Sequence, residues 1–229
     1  MVRSVSSLVT ACLVLALGSG VQAAFTVTQP ANDWSAQIPP GSYTHAVNFG
    51  SAAPIVNGVS FEAAGTGSFT NGNTTYSSAW TGTDGNNITG DNGLADQFLH
   101  DGDTTANINL TGLTPGQQYL FKFLSVGWNN TDRTTRIDDV DVGGEEISFD
   151  PDLNGPGQDN GTVVSYSYTA QPDGELNLAL TFANNQSPHA YALTNETIVQ
   201  TRIPEPATLA LAAFGLAGLG GYVRGRRKA

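Results

Sequence analysis

The chain is nearly without cysteine: Cys12 is the only one in 229 residues. It lies in an apolar run near the N-terminus, so the remainder has no thiol nucleophile, no disulfide and no Cys-based metal site. Positive charge is also scarce. Between Ala24 and Ile203 there are 19 Asp and Glu against four basic residues, Lys122, Arg133, Arg136 and Arg202. Phosphate neutralisation requires Lys and Arg, so nucleic acid is excluded as a partner. Histidine occurs three times, as His45, His100 and His189. No G-x-S-x-G, H-E-x-x-H or phosphate-binding loop is present. No stretch of the central region has sustained helical periodicity.

What is present begins with Met1-Val2-Arg3, an apolar run from Leu8 to Leu17, and Val21-Gln22-Ala23. A basic start, an apolar core and a small-residue site predict a helical signal peptide over 1–23, cleaved after Ala23. The other end reads Ile203-Pro204-Glu205-Pro206, then 17 uncharged residues from Ala207 to Val223, then Arg224-Gly225-Arg226-Arg227-Lys228. Seventeen apolar residues are at the short end of what spans a hydrocarbon core of roughly 30 Å as a helix. The basic tail at 224–228 stays on the cytoplasmic side. A C-terminal transmembrane helix over 207–223 is therefore expected, with everything before it on the outer face.

The Pro-Glu-Pro, the apolar segment and the terminal Arg cluster together resemble the PEP-CTERM sorting signal of exported bacterial proteins, over 203–229. The resemblance implies an exosortase, a membrane-embedded protease-transpeptidase, as processing partner. It makes Pro204, Glu205, Pro206, Arg224, Arg226 and Arg227 a recognition element for that enzyme. It further implies inner-membrane residence during sorting, then the cell surface or extracellular matrix.

Between the two signals, residues 24–200 carry short alternating runs punctuated by Gly, Asn, Asp and Pro. This pattern predicts an all-β domain of roughly eleven strands, a single β-sandwich of jelly-roll type. Asn57-Gly58 is a hairpin-turn signal between Ile55 and Phe61. Thr75 to Trp80 reads as one strand. Leu94 to Leu99 reads equally as a strand or a helical turn. Tyr119 to Val126 is apolar apart from Lys122 and Ser125, as expected of a central strand buried on both faces. Arg133 to Val142 alternates as a strand. Val164, Tyr166 and Tyr168 share one face, as do Leu176, Leu178, Leu180 and Phe182. The joint Leu110-Thr111-Gly112-Leu113-Thr114-Pro115-Gly116-Gln117-Gln118-Tyr119 resembles those of galactose-binding-like and fibronectin-like sandwiches. With Gly127-Trp128, Arg133 and Ile137 to Val142, then Tyr166 to Tyr168, it looks like domains of exported proteins bearing this sorting signal, which resemble carbohydrate-binding sandwiches of the malectin and galactose-binding type. That likeness bears on fold.

Three groups carry candidate chemistry. Trp128, Asn129, Asn130, Asp132 and Arg133 combine a flat aromatic with amide, carboxylate and guanidinium groups, the means of binding a sugar's apolar face and hydroxyls. Trp80, Tyr166, Tyr168 and Tyr191 are further stacking candidates. Asp150-Pro151-Asp152-Leu153-Asn154-Gly155 opens like a calcium loop, but Gly161 stands where the closing Glu belongs. Asp150, Asp152 and Asn154 are thus candidate calcium ligands, and no other cofactor is indicated. His100 near Asp96, Asp101 and Asp103, and the pair Asp139 and Asp141, are the only hints of acid-base chemistry, and no catalytic residue is assigned. The expectation is a non-catalytic structural or adhesive domain. A carbohydrate-binding module for exopolysaccharide is the alternative, and a polysaccharide hydrolase is the least supported.

Overall fold

The computed structural model describes residues 23–199, except 65–68, 72–73, 77–79, 84–87, 101–104, 128–132, 153–159 and 184–187. For residues 69–71, 74–76 and 80–83 it describes the backbone alone. Residues 1–22 and 200–229, with the helices expected there, lie outside the described residues. Among those described, no helix is long and apolar enough to cross a membrane.

The described chain is all-β apart from one short helix. The strands are β1 (Ala24–Thr28), β2 (Tyr43–Asn48), β3 (Ile55–Val56), β4 (Val59–Ser60), β5 (Glu62–Ala63), β6 (Phe69–Asn71), β7 (Thr74–Tyr76) and β8 (Trp80–Thr83). They continue with β9 (Gln97–His100), β10 (Thr105–Leu110), β11 (Gln118–Val126), β12 (Thr135–Asp139), β13 (Glu146–Phe149), β14 (Gly161–Thr169), β15 (Leu176–Phe182) and β16 (His189–Thr197). Helix α1 (Trp34–Gln37) is capped by Asp33, whose carboxylate accepts from the Ser35 and Ala36 amides. This is the usual way to satisfy open N–H groups at a helix start.

Among the described residues, the small two-stranded sheet β3-β4 and two large open sheets result. One runs β1-β14-β11-β16-β2-β5, with β9 on β16 and β8 on β9; the other runs β13-β12-β15-β10-β7-β6. Their inner faces share a core. Tyr119, Phe121, Phe123, Val164, Tyr166 and Tyr168 from the first sheet meet Ile108, Leu110, Ile137, Leu176, Leu178 and Leu180 from the second. Strand β11 is buried on both faces, as its apolar run predicts. Tyr119, Phe121 and Phe123 enter this core, while Leu124 and Val126 enter a second one on the sheet's other side. There Trp34, Ile38, Val56, Phe61, Leu94, Phe98 and Tyr191 cover the sheet. Lys122 interrupts the pattern because its ammonium reaches the Gln37 carbonyl at the end of α1.

Several expectations are corrected. Residues 75–80 are not one strand: β7 pairs with β10 in one sheet and β8 with β9 in the other. The strand expected over 133–142 is β12 alone. Beyond it Val140 to Gly144 turn, with Gly143 and Gly144 at positive φ. The ambiguous stretch at 94–99 is both a turn and a strand, the turn closing before β9 begins at Gln97. At Asn57-Gly58 both residues have positive φ, and β3 and β4 pair across them. That is the backbone a type I′ turn needs.

Candidate functional site

Strand register sorts the connections into two ends. At one end β10 passes into β11 and β14 into β15 through tight turns. At the other, Val126 of β11 stands opposite both Gly161 of β14 and His189 of β16, and Thr135 of β12 stands opposite Phe182 of β15. His100, the last residue of β9, pairs with Trp80 at this second end. The strand ends flanking residues 101–104, 128–132, 153–159 and 184–187 all lie here. So do Arg133 and Asp152, one described member from each of two of the candidate groups.

The structure brings those two groups into contact. Arg133 Nε lies 3.4 Å from Asp152 Oδ2, with side chains only 6% and 3% exposed. A charge this buried requires a partner, and here each is the other's. The backbone around them is clamped. The Gln29 amide donates to the carbonyls of Asp150 (3.0 Å) and Pro151 (3.1 Å). Asp150 Oδ1 accepts from the Asp152 amide at 2.9 Å. A Cβ on Gly127 would stand 2.5 Å from the Pro151 carbonyl oxygen, so only glycine fits. Arg133 thus sits beneath the surface as the counter-ion of Asp152. Trp128, Asn129, Asn130, Asp132 and Asn154 lie outside the described residues. Among the described residues, no three His, Cys, Asp or Glu side chains gather as a metal would require.

A histidine pair adjoins this cluster. His189 is buried, its ring stacked on Phe98 at 3.8 Å and 5.4 Å from that of His100. Burial first, then the neighbouring Arg133 and His100, push its pKa down to about 2. The ring is neutral at any physiological pH, with one N–H and one bare nitrogen, and so is not poised as a general acid. His100 therefore has His189 as its ring neighbour, where the sequence suggests acids. Of those acids, Asp96 lies in a separate cleft described below, and Asp101 and Asp103 fall outside the described residues.

The other candidates are engaged internally. Tyr166 donates to Asp139 Oδ2 at 2.5 Å, and Asp139 Oδ1 accepts from the amides of Asp141 and Val142. Burial, and then the Asp139 carboxylate, raise the Tyr166 pKa. Asp141 accepts from the backbone and side-chain nitrogens of Asn177. Asp139 and Asp141 therefore bind the turn and the strand beside it and do not converge on a shared point. Tyr166, Tyr168 and Tyr191 are corrected as sugar platforms: all three are buried. Tyr166 stacks with Phe25 and with Tyr168, and Tyr191 packs edge-on against Trp34.

The sequence reading missed a cleft of about 200 Å³ lined by Asn48, Ser51, Ala52, Gly93, Asp96 and Gln97. Asn48 is fully buried and holds the loop after β2, donating to the Ala52 carbonyl and accepting from the Gly50 amide. Gln97 Oε1 accepts from both the amide and the hydroxyl of Ser51, at 2.7 Å each. No local pattern marks this cleft, because its walls come from positions 45 residues apart brought together by β2 and β9.

An all-β domain of two open sheets carrying a C-terminal sorting signal is the class of protein these features define. Residues 202–228 match the PEP-CTERM protein-sorting motif. The motif implies an exported protein processed by an exosortase. No curated protein matches the chain in sequence. Among solved structures it is similar to a calcium-binding mutant of Bacteroides uniformis β-glucuronidase 2, with TM-score 0.53 and 15% identity over 68% of this chain and 18% of that one. A second Bacteroides uniformis β-glucuronidase structure gives TM-score 0.52 and 15% identity over the same shares. The chain thus spans less than a fifth of these enzymes' length. A family 35 carbohydrate binding module from Clostridium thermocellum aligns with TM-score 0.35 and 13% identity, over 55% of this chain and 89% of that one.

Proposed function

We propose that this is a cell-surface or extracellular-matrix protein whose exported domain, residues 24–200, is a non-catalytic, galactose-binding-like β-sandwich with a structural or adhesive role. The leader at 1–23 is removed on export. The span at 207–223 then holds the precursor in the inner membrane, with Arg224, Arg226 and Arg227 inside. The exosortase reads Pro204, Glu205 and Pro206 and releases the domain outward. The sorting motif at 202–228 carries this reading. It is supported by the engagement of Arg133, Asp139, Asp141, Asp152 and Tyr166 with one another or with the backbone, which leaves none of them poised on a substrate. Expression with and without an exosortase tests the sorting step. The expected result is a shorter extracellular form only when the enzyme is present. An intact polypeptide in the cytosol under both conditions refutes it.

A second reading, polysaccharide binding, is favoured by one observation: Gly127, held against the Pro151 carbonyl, leads directly into Trp128 at the loop end. On this reading Trp128 stacks on a sugar ring, and Asn129, Asn130 and Asp132 meet its hydroxyls. Arg133 then acts from below by holding Asp152. A glycan array separates the readings. Binding that Trp128→Ala abolishes at unchanged thermal stability establishes the second. An array blank against exopolysaccharides leaves the first.

A further inference from the structure

The cleft between the end of β2 and the start of β9 belongs to neither cluster at the loop end, and its polar groups are arranged as donor and acceptor. The Gln97 side-chain oxygen is committed twice, to the amide and hydroxyl of Ser51. That fixes the plane of its amide and leaves the NH₂ group as the side to be satisfied, since it has no partner among the described residues. Asp96, next in sequence and exposed, also lines the cleft with no hydrogen bond to its carboxylate among the described residues. The two loops forming the rim are each held by side-chain hydrogen bonds to their own backbone. Asn48 bridges Gly50 and Ala52. Asp91 Oδ2 accepts from the amides of Gly93 and Ala95. A Cβ on Gly50 would stand 2.9 Å from Gln97 Cβ, and one on Gly93 3.3 Å from Asp96 Oδ2, so side chains at either position would crowd these two groups.

We propose that this cleft is a hydroxyl-binding subsite for a single neutral hexose unit, in which Gln97 Nε2 donates to one hydroxyl and the Asp96 carboxylate accepts from its neighbour. The inference rests on the polysaccharide reading above and gives it a second point of contact. A fixed amide donor beside a carboxylate acceptor is complementary to vicinal hydroxyls, each of which both donates and accepts. At about 200 Å³ the cleft falls below the roughly 300 Å³ at which drug-sized sites begin, which suits one ring and no more. The carboxylate also sets a preference. It repels uronic acids, and a net-acidic domain adds to that repulsion. Without an aromatic wall the affinity is weak, on the order of millimolar.

The test is NMR titration of the full chain in detergent micelles with D-galactose, D-glucose and D-glucuronate. Backbone amide shifts at Ser51, Gly93, Asp96 and Gln97 are expected with at least one neutral hexose, and at least tenfold weaker binding of glucuronate. Asp96→Asn should weaken the neutral sugar several-fold and shrink the discrimination against glucuronate. Gln97→Glu keeps the acceptor for Ser51 but removes the donor, and should abolish the shifts with the melting temperature unchanged. Hexose-induced shifts confined to residues near Trp128, or shifts at the cleft that survive both variants, overturn this subsite alone. If neither hexose shifts the cleft while array binding persists and requires Trp128, the subsite again fails by itself. If no sugar binds at either place, the polysaccharide reading falls with it.

Discussion

The two ends of the paired sheets are built by different means. At the turn end, the joint between β10 and β11 closes through short-range bonds and one neighbour. Gln117 N donates to the Thr114 carbonyl, Thr114 N donates to the Tyr119 hydroxyl, and Leu113 and Gly174 meet backbone to backbone. Gly112 and Gly116 supply the positive φ. At the loop end, closure depends on partners more than a hundred residues apart. Gln29 holds residues 150 and 151, and Asn32 Oδ1 accepts from the Gly161 amide at 2.7 Å. One end is secured by turn chemistry and the other by tertiary contact. Mutations should therefore be tolerated differently at the two.

The sharpest form of that contrast is a pair of glycines. A Cβ on Gly161 would sit 2.2 Å from the Ala31 carbonyl oxygen and 2.9 Å from Ile88 Cδ1. Gly161→Ala should cost about 3 kcal/mol or more in chemical denaturation, or prevent folding. Gly116 has open space around it and only its φ of +76° to lose. Gly116→Ala should cost about 1 kcal/mol. Equal costs would break the comparison.

Next in size is the buried ion pair. Arg133→Met leaves the Asp152 carboxylate buried without its counter-ion and should destabilise by about 3 kcal/mol. Adding Asp152→Leu should recover most of that loss, because the pair's main contribution is to neutralise two charges that burial would otherwise penalise. A double variant no better than the single would show that other partners of Arg133 hold the loop end together.

The histidine gives a pH-dependent version of the same test. His189 is neutral when folded, with its pKa pushed down to about 2 from 6.5. Above pH 6.5 both folded and unfolded forms are unprotonated there, and the group contributes no pH dependence. Below 6.5 the unfolded chain gains a proton that the folded one refuses. Stability should then fall by about 1 kcal/mol per pH unit from this group. His189→Gln should remove close to one proton from the slope between pH 6 and 4. An unchanged slope would place the acid sensitivity elsewhere.

The smallest effects are expected from groups that solvent already screens or that other contacts already occupy. Arg136 bridges Asp138 and Glu146 but is half exposed, and Arg136→Ala should leave the melting temperature where it was. Chelator should likewise leave it unchanged, since Asp152 is engaged by Arg133 and Asp150 by a backbone amide. A chelator-dependent drop would mean that calcium competes with that pair, because a ligand of the folded state must stabilise it.

Much of the fold can be read from local pattern. The alternating leucines of β15, the apolar run of β11, the Asn57-Gly58 turn and the Gly112 to Gly116 joint each carry their instruction within a few residues. The misreadings occur where pattern is local but pairing is not. Nothing in 75–80 says that the chain leaves one sheet for the other. Tyr166, Tyr168 and Tyr191 look like sugar platforms because a sequence does not show which side of a strand is covered. Arg133 was legible as a functional group but not as a buried one, since its partner lies 19 residues on, beyond the β12-β13 hairpin.

The sequence by itself determined the sorting motif at 202–228, the all-β character of the described domain and its lack of cysteine. These are matters of composition, length and short-range steric preference, which act before the chain has folded. Only the tertiary structure decided which polar groups are consumed in holding the fold and which have no partner among the described residues. Burial and pairing depend on distance in space, and β-sheet register sets that distance between residues far apart in the chain.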